Sequence, residues 1–391
     1  MLAVFLSCLD AMAEEKPQPQ TQMQMPDPYA VDLSTSEPLE PLDDNTLSND
    51  PEFYDKTARG FVNTGIVLFP MYSKVNGDDT AGGGTFMYYF RRHGEPPLSE
   101  PNYIRTTLVA GQNQYVDMNV SFNNYWDTEE QNLYTSFGYQ RRLANFYQPF
   151  TQTPSLLGTY RTSDFIFDVM YRQKFVFNSY VGVKYEYVYN GMDSKTPADI
   201  FVSNAIYGLN GDAISGFGLI WSSLPVEDIF SPKRTSVFEL SSTLYLKYFG
   251  SKYNFARHIL DIREYFPIRS SHVFELEFYF SMLTGEVPYR QLLSVAQLFK
   301  AYPFDKYMDN NLIGIKGEYR FLLFTRTYFS LFLGTAYHAN SVKKFKMNEY
   351  LPSYGAGLRF LIDSELNINA RLDYLVGRDA KGFMIGVGEG F

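Results

Sequence analysis

The chain has 391 residues and a formal net charge of −9, so it offers no obvious basic face of clustered Lys and Arg for binding nucleic acid. Its 32 Tyr and 34 Phe against only 2 Trp favour a β-rich fold, because strands favour aromatic residues and membrane barrels carry aromatic rings at both interfaces. No apolar stretch reaches about 18 residues, so the sequence predicts no membrane-spanning helix.

Residues 1–13 are predicted to be a signal peptide, and the chain is therefore expected to be secreted. A short apolar run from Leu2 to Leu9 precedes Ala11-Met12-Ala13, an A-x-A pattern suited to cleavage, although the run lacks a positive n-region and is followed by Asp10. Cleavage would remove Cys8, the one cysteine of the sequence. The mature chain would then have no thiol for catalysis or for binding a metal.

Residues 14–60 are rich in Pro, Gln, Asp and Glu. Such a composition buries too little apolar area to offset the loss of chain entropy, which predicts a disordered acidic tail. From residue 61 to residue 391 the pattern changes to short segments with a period of two. This part is predicted to be a single β-barrel domain.

Alternation is clearest near the C-terminus, where Leu372 and Tyr374 share one face of a strand while Arg371 and Asp373 share the other. A soluble barrel with its apolar face inward would also show this pattern. The number of strands and their length of about 10 residues favour an all-β, transmembrane antiparallel barrel of sixteen strands. The predicted strands are residues 62–73, 83–93, 103–112, 114–123, 131–142, 163–174, 176–190, 215–223, 235–248, 252–266, 271–284, 311–322, 325–337, 353–362, 366–375 and 382–391.

A long connection at residues 285–311 separates the eleventh and twelfth predicted strands. Connections this long are usually functional or disordered, and this one carries many apolar side chains, including Leu298, Phe299, Tyr302 and Phe304. It is therefore expected to fold into the lumen or against the barrel rim. An ordinary extracellular loop remains the alternative.

No enzyme, metal or cofactor site is predicted. The histidines, His93, His258, His272 and His338, show no metal-ligand spacing and no nucleophile motif. Charged residues on neighbouring strands are expected to face the lumen and to form cross-strand ion pairs in water. They are Glu275, Glu277, Lys316, Glu318, Arg320, Arg359, Arg371 and Asp373.

The strand sequences resemble the BamA/TamA-type barrels, also described as bacterial surface antigen barrels. The resemblance is carried by NNLIGIKGEYRFLL (Asn310–Leu323), SYGAGLRFLI, LNINARLDYLVG and the closing GFMIGVGEGF, and by GIVLFPMYSK with TAGGGTFMYYF and the middle segment GFGLIWSSLPVEDIFSPKRTSVFELSS. It covers most of residues 61–391. It implies a bacterial outer-membrane barrel that acts in protein assembly, membrane insertion or translocation, and it identifies 285–311 as loop 6.

The expected partners are outer-membrane lipids, outer-membrane or secreted protein substrates, and accessory periplasmic or lipoprotein subunits. Residues 14–60 are too few and too polar for a POTRA module, which indicates a lone barrel. A passive pore or structural barrel plugged by loop 6 is the alternative function.

The loop 6 tip departs from the family pattern. Relatives carry Arg-Gly-aromatic and an acidic residue on a following strand, whereas this chain has Lys300-Ala301-Tyr302 and places Gly334 at the acidic position. A Lys loses the bidentate fork of Arg. The sequence therefore predicts a loop held by packing of Leu298, Phe299, Tyr302 and Phe304 rather than by a salt bridge.

The seam between the first and last strands is predicted to be the weakest ladder. Pro70 has no N–H to donate, and Gly65 together with the glycines of the last strand removes cross-strand side-chain contacts. Phe383, Ile385, Val387 and Phe391 are expected on the outer face, and Val67 is expected opposite a residue among Met384–Val387. The alternative is that the glycines only let a small barrel curve.

Overall fold

The computed structural model describes residues 64–75, 80–91, 101–126, 130–176, 179–194, 208, 211–223, 235–269, 271–346, 348–363 and 368–387. The predicted signal peptide at 1–13 and the predicted tail at 14–60 lie outside these residues. The same holds for Phe391 at the end of the closing strand.

Sixteen strands form a closed antiparallel barrel in which each strand pairs with its neighbours along the chain and the last pairs with the first. They are β1 (Thr64–Val75), β2 (Ala81–Phe90), β3 (Asn102–Gly111), β4 (Val116–Trp126), β5 (Gln131–Tyr147), β6 (Leu156–Lys174), β7 (Ser179–Ser194), β8 (Asp212–Ser223), β9 (Thr235–Tyr245), β10 (Phe255–Arg269), β11 (His272–Gly285), β14 (Asn311–Phe324), β15 (Thr327–Ala339), β16 (Leu351–Asp363), β17 (Ile368–Gly377) and β18 (Lys381–Val387). Two short strands, β12 (Leu293–Ser294) and β13 (Met308–Asp309), pair with each other between β11 and β14.

The predicted fold class is confirmed, and every one of the sixteen predicted segments overlaps a barrel strand. The largest boundary differences are in β5 and β6. β6 begins at Leu156 instead of residue 163, and β5 ends at Tyr147 instead of residue 142. These two strands therefore extend well beyond the length of about 10 residues that crosses a bilayer.

Apolar side chains cover the outside of the barrel and polar ones face the lumen. In β8, Phe217, Leu219 and Trp221 are exposed on the outer face. In β14, Ile315 is exposed on the outer face, and the next residue, Lys316, is buried on the lumen side. A soluble barrel would show the opposite arrangement. Apolar outside and polar inside is the pattern of a barrel that faces lipid. Among the residues described, no helix is long and apolar enough to cross a membrane.

The two ends of the barrel differ in their connections. β1 begins and β18 ends at one of them, called here the terminal end, where Arg269 and His272 of β10 and β11 are separated by only two residues. Loop 6 leaves from the opposite end, called here the loop end. Short turns at the end that holds both termini and longer loops at the other are typical of outer-membrane barrels.

Candidate functional site: lumen plug and seam

Loop 6 enters the lumen and fills its loop end. β12 and β13 join as a small hairpin inside the loop, and Phe150 of the β5–β6 connection donates its backbone N–H to Met308 O at 3.2 Å. The loop contributes much of the larger apolar cluster of the protein. Its buried side chains include Tyr289, Leu292, Leu293, Val295, Leu298, Phe299, Ala301, Tyr302, Tyr307 and Met308. The expectation that the connection folds into the lumen is therefore met.

Glycines in the barrel wall make room for the loop 6 tip. A Cβ added at Gly334 would lie 2.5 Å from Phe299 Cε1, and one added at Gly377 would lie 2.6 Å from Tyr302 Cζ. Leu298 packs in the same way over Gly314. Real Cβ atoms do not approach other atoms this closely, so each glycine is a socket for one side chain of the loop.

Tyr302 is also fixed by polar contacts. Its hydroxyl donates to Pro352 O at 2.5 Å and accepts the backbone N–H of Arg378 at 3.0 Å. Burial raises the pKa of Tyr302 to about 12, so the hydroxyl keeps its proton at neutral pH. Tyr302 thereby connects the loop tip to β16 and to the end of β17.

The prediction that no salt bridge holds loop 6 was wrong. Asp305 of the loop accepts a hydrogen bond from the guanidinium of Arg142 of β5 at 2.6 Å. Asp305 also lies 3.4 Å from Arg290 of the loop. Arg290 in turn forms an ion pair with Asp164 of β6 at 2.6 Å. All four side chains are at most 8% exposed. We call this alternating chain the Arg290 network. It joins both halves of the loop to the β5–β6 wall.

Arg290 remains charged in this setting. Burial alone would lower the pKa of its guanidinium, but the nearby Tyr160, Asp164 and Asp305 more than offset burial and raise it. Phe304 departs from the predicted packing, because its ring is 36% exposed and contacts the guanidinium of Arg142 at 4.8 Å.

Lys300 behaves as the sequence predicts. Its Nζ donates to Ala296 O at 3.2 Å, and no carboxylate among the described residues pairs with it. Burial, together with the nearby cations Lys316 and Arg371, lowers the pKa of Lys300 to about 8. Phe299 occupies the space above Gly334, where relatives are expected to hold an acidic partner.

The predicted lumen-facing charges lie on inward positions of β11, β14, β16 and β17. Glu277 pairs with Lys316 at 2.7 Å across β11 and β14, and Arg359 pairs with Asp373 at 2.5 Å across β16 and β17. Buried members of the set are Glu277, Lys316, Glu318, Arg320, Arg359 and Asp373, and half-buried members are Glu275 and Arg371. Among the residues described, no group of His, Cys, Asp and Glu is arranged to hold a metal ion.

The seam is the shortest ladder described in the barrel. β1 and β18 share four register pairs, from Tyr72–Ile385 to Val75–Gly382, while every other pair of neighbouring barrel strands shares at least seven. Towards the terminal end, residues 64–71 of β1 pair with β2 but with no described residue of β18. One edge of β1 is therefore unpaired within the described residues.

Pro70 and the glycines lie where the ladder stops. Continuing the register would place Pro70 opposite Val387, and Pro70 has no N–H to offer. The expectation that Val67 faces Met384–Val387 was wrong, because Met384 pairs with Ser73. Gly65 lies opposite Tyr89 of β2. Phe383, Ile385 and Val387 alternate with Gly382 and Gly386, which are buried on the lumen side.

Tyr302 and Lys300 give a first testable ranking. Tyr302→Phe should lower the free energy of unfolding by about 1–2 kcal/mol, because Pro352 O and the Arg378 N–H lose their partner. Lys300→Met should lower it by no more than about 0.5 kcal/mol at pH 7. Urea unfolding of the purified barrel in detergent measures both. A greater loss for Lys300→Met would reveal a carboxylate partner.

The pH dependence of Lys300 has a definite sign. Its folded pKa lies below the unfolded value of 10.5, so between about pH 8 and that value the unfolded state binds more protons. Wild-type protein should therefore gain stability relative to Lys300→Met as the pH rises through this window.

The barrel is similar in structure to two solved proteins. BamA from Haemophilus ducreyi lacking POTRA domains 1–3 matches with a TM-score of 0.54 and 12% identity, covering 83% of this chain and 70% of that chain. CdiB from Acinetobacter baumannii matches with a TM-score of 0.54 and 10% identity, covering 83% of this chain and 60% of that chain. No protein-family model and no curated protein sequence matches. This chain therefore has the barrel fold of BamA and CdiB.

Proposed function

We propose that this chain is a relative of the BamA/TamA-type proteins, resident in a bacterial outer membrane, which acts on outer-membrane or secreted protein substrates through the seam. The observation that supports this most is the four-pair ladder between β1 and β18. The fold shared with BamA and CdiB and the strand motifs of the sequence support the same proposal.

The part of β1 that pairs with no described residue of β18 would provide the chemistry of substrate capture. An exposed strand edge presents backbone N–H and C=O groups to which an extended segment of another chain can add as a new strand. Only four register pairs join the described residues of β1 and β18, so we expect separating these two strands to cost less than opening any other pair of described barrel strands. Loop 6 meanwhile obstructs the loop end of the lumen, which leaves the seam as the route into the membrane. Accessory periplasmic or lipoprotein subunits would deliver the substrate.

The proposed location gives a simple expectation. The mature protein should fractionate with the outer membrane and should migrate faster on a gel when unheated, because a closed barrel resists detergent unfolding. Recovery of the mature protein in a soluble fraction would exclude the proposal.

Locking the seam tests the mechanism. Ser73 and Met384 are register partners, so Ser73→Cys with Met384→Cys, in a Cys8→Ser background, should form a disulfide across β1 and β18 on oxidation. The readout is the growth or secretion phenotype that the wild-type gene restores to a deletion strain. We expect the oxidised variant to fail to restore it, and we expect reduction of the disulfide to recover this activity.

A lock away from the seam is the matched control. Thr85 of β2 and Thr107 of β3 are register partners whose hydroxyl oxygens are 3.0 Å apart, so Thr85→Cys with Thr107→Cys should also bridge. This lock should leave the phenotype intact. If the oxidised Ser73–Met384 pair supports the phenotype as well as the reduced pair does, seam opening is not the mechanism.

A plugged pore is the second candidate, and the filling of the lumen by loop 6 is the observation in its favour. Planar-bilayer conductance separates the two functions. For a plugged pore, deletion of residues 286–309 should open a large steady conductance, and the locked seam should have no effect on the phenotype.

A further inference from the structure

Two arginines face outward at the loop end of β5 and β6. Arg141 and Arg161 each alternate with a side chain buried in the lumen, Arg142 on β5 and Thr162 on β6. Because successive side chains of a strand point to opposite faces, Arg141 and Arg161 lie on the outer face of the barrel. Both are half-buried there.

Neither outward arginine has a side-chain partner among the residues that the structure describes. The Nε atom of each is shielded from solvent without a hydrogen bond, and neither guanidinium pairs with a residue that the structure describes. The backbone register puts Asp193 of β7 opposite Arg161, and no described residue is the register partner of both arginines. The pair therefore carries net positive charge.

An aromatic row places this charge relative to the membrane. Tyr139, Phe165 and Tyr189 are register neighbours across β5, β6 and β7, and the rings of Tyr139 and Phe165 are 4.9 Å apart. Phe165 is 54% and Tyr189 is 47% exposed on the outer face. Aromatic rows of this kind mark the bilayer interface. Arg141 lies two residues beyond Tyr139, about 7 Å along the strand towards the loop end, and so on the headgroup side of this row.

The two guanidinium groups can reach one ligand. Arg141 pairs with Ser163, and Arg161 lies two residues from Ser163 on the same face, so the arginines occupy a diagonal of about 7–8 Å. Long side chains span that distance. Two guanidinium forks on one phosphate form short, charge-assisted hydrogen bonds, for which Arg is better suited than Lys.

We propose that Arg141 and Arg161 form a binding site for the phosphate of a phosphorylated lipid headgroup in the leaflet at the loop end. A lipid is favoured over free phosphate because the site opens on the lipid-facing surface, directly beyond aromatic side chains that can contact acyl chains. The site does not depend on seam opening.

Lipid titration tests this site. Purified barrel in nonionic detergent is titrated with diphosphorylated lipid A, and bound lipid is counted by native mass spectrometry. Arg141→Gln with Arg161→Gln should weaken binding by about tenfold or more. Arg141→Lys with Arg161→Lys should keep part of the affinity, since the charge remains while the fork is lost.

The control is an Arg→Gln substitution at the opposite end of the barrel. Arg326 is exposed in the β14–β15 turn at the terminal end, so Arg326→Gln should bind lipid A as the wild type does. The heat-dependent gel shift confirms that each variant is folded. Three results would each overturn the proposal. The first is equal binding of lipid A by Arg141→Gln/Arg161→Gln and by the wild type, and the second is equal binding of dephosphorylated lipid A by the wild type. The third is displacement of the lipid by inorganic phosphate at the same concentration.

Discussion

Arg290→Met should lower the free energy of unfolding of the barrel by about 3–5 kcal/mol, because it removes one member of a buried ionic network and leaves the carboxylate of Asp164 without its cationic partner. Arg290 is 6% exposed and is within 2.6 Å of Asp164 and 3.4 Å of Asp305. Asp305 keeps Arg142, but among the described residues Asp164 would retain only hydrogen bonds from Thr162 and Asn190. Urea unfolding in detergent provides the measurement.

Arg263→Met is the matched control. Arg263 also contacts two carboxylates, Asp261 at 2.5 Å and Glu277 at 3.5 Å, but its side chain is 41% exposed. Water screens such a pair, so we expect a loss of about 1 kcal/mol or less. If Arg290→Met and Arg263→Met lower the free energy of unfolding equally, burial does not strengthen the Arg290 network.

A double-mutant cycle isolates the pair itself. If Asp164→Asn and Arg290→Met act on one interaction, the double variant should lose less stability than the sum of the single variants. Loop 6 should also become accessible to protease in Arg290→Met while the gel shift of the folded barrel persists. Strict additivity would show that Arg290 stabilises the loop through other contacts.

The strand pattern was predictable because one rule governs the whole barrel wall. Outward side chains meet lipid and inward ones meet water or loop 6, so a period of two runs through each strand and identifies both faces. Leu372 and Asp373 illustrate this, since the first is 40% exposed and the second 1% exposed. Strand ends were less predictable in β5 and β6, because nothing in their pattern changes where they leave the membrane.

The Arg290 network could not be predicted, because its members are distant in sequence and meet only when loop 6 folds inward. Asp305 is 163 residues along the chain from Arg142, which donates a hydrogen bond to it. A signal was nevertheless present. Arg142 and Asp164 fall on inward positions of neighbouring strands, and Arg290 and Asp305 are charged residues within an otherwise apolar loop. The family resemblance instead indicates the loop tip at Lys300.

The glycine sockets are not predictable from the sequence for a related reason. The family resemblance indicates the loss of an acidic partner at Gly334, whereas in the structure its missing side chain makes room for Phe299. A glycine in a strand can mark a close approach by another part of the chain. Sequence alone does not say which side chain approaches.

Phe299→Ala should destabilise the barrel by about 3–5 kcal/mol, since it empties a fully buried ring position at the centre of the plug. Gly334→Ala should cost about 1–3 kcal/mol, because its Cβ would lie 2.5 Å from Phe299 Cε1 and 2.9 Å from Ile315 O. Gly82→Ala is the control, since its nearest neighbour would be 3.7 Å away, which is an ordinary contact.

Combining the two substitutions shows whether they share one socket. In Phe299→Ala/Gly334→Ala the added methyl group no longer meets a ring, so the double variant should be more stable than the sum of the single losses predicts. Each single variant should also raise bilayer conductance if displacing the tip of loop 6 opens a water path, with the double variant between wild type and Phe299→Ala. Additive losses with unchanged conductance would mean that Phe299 does not hold the plug against β15.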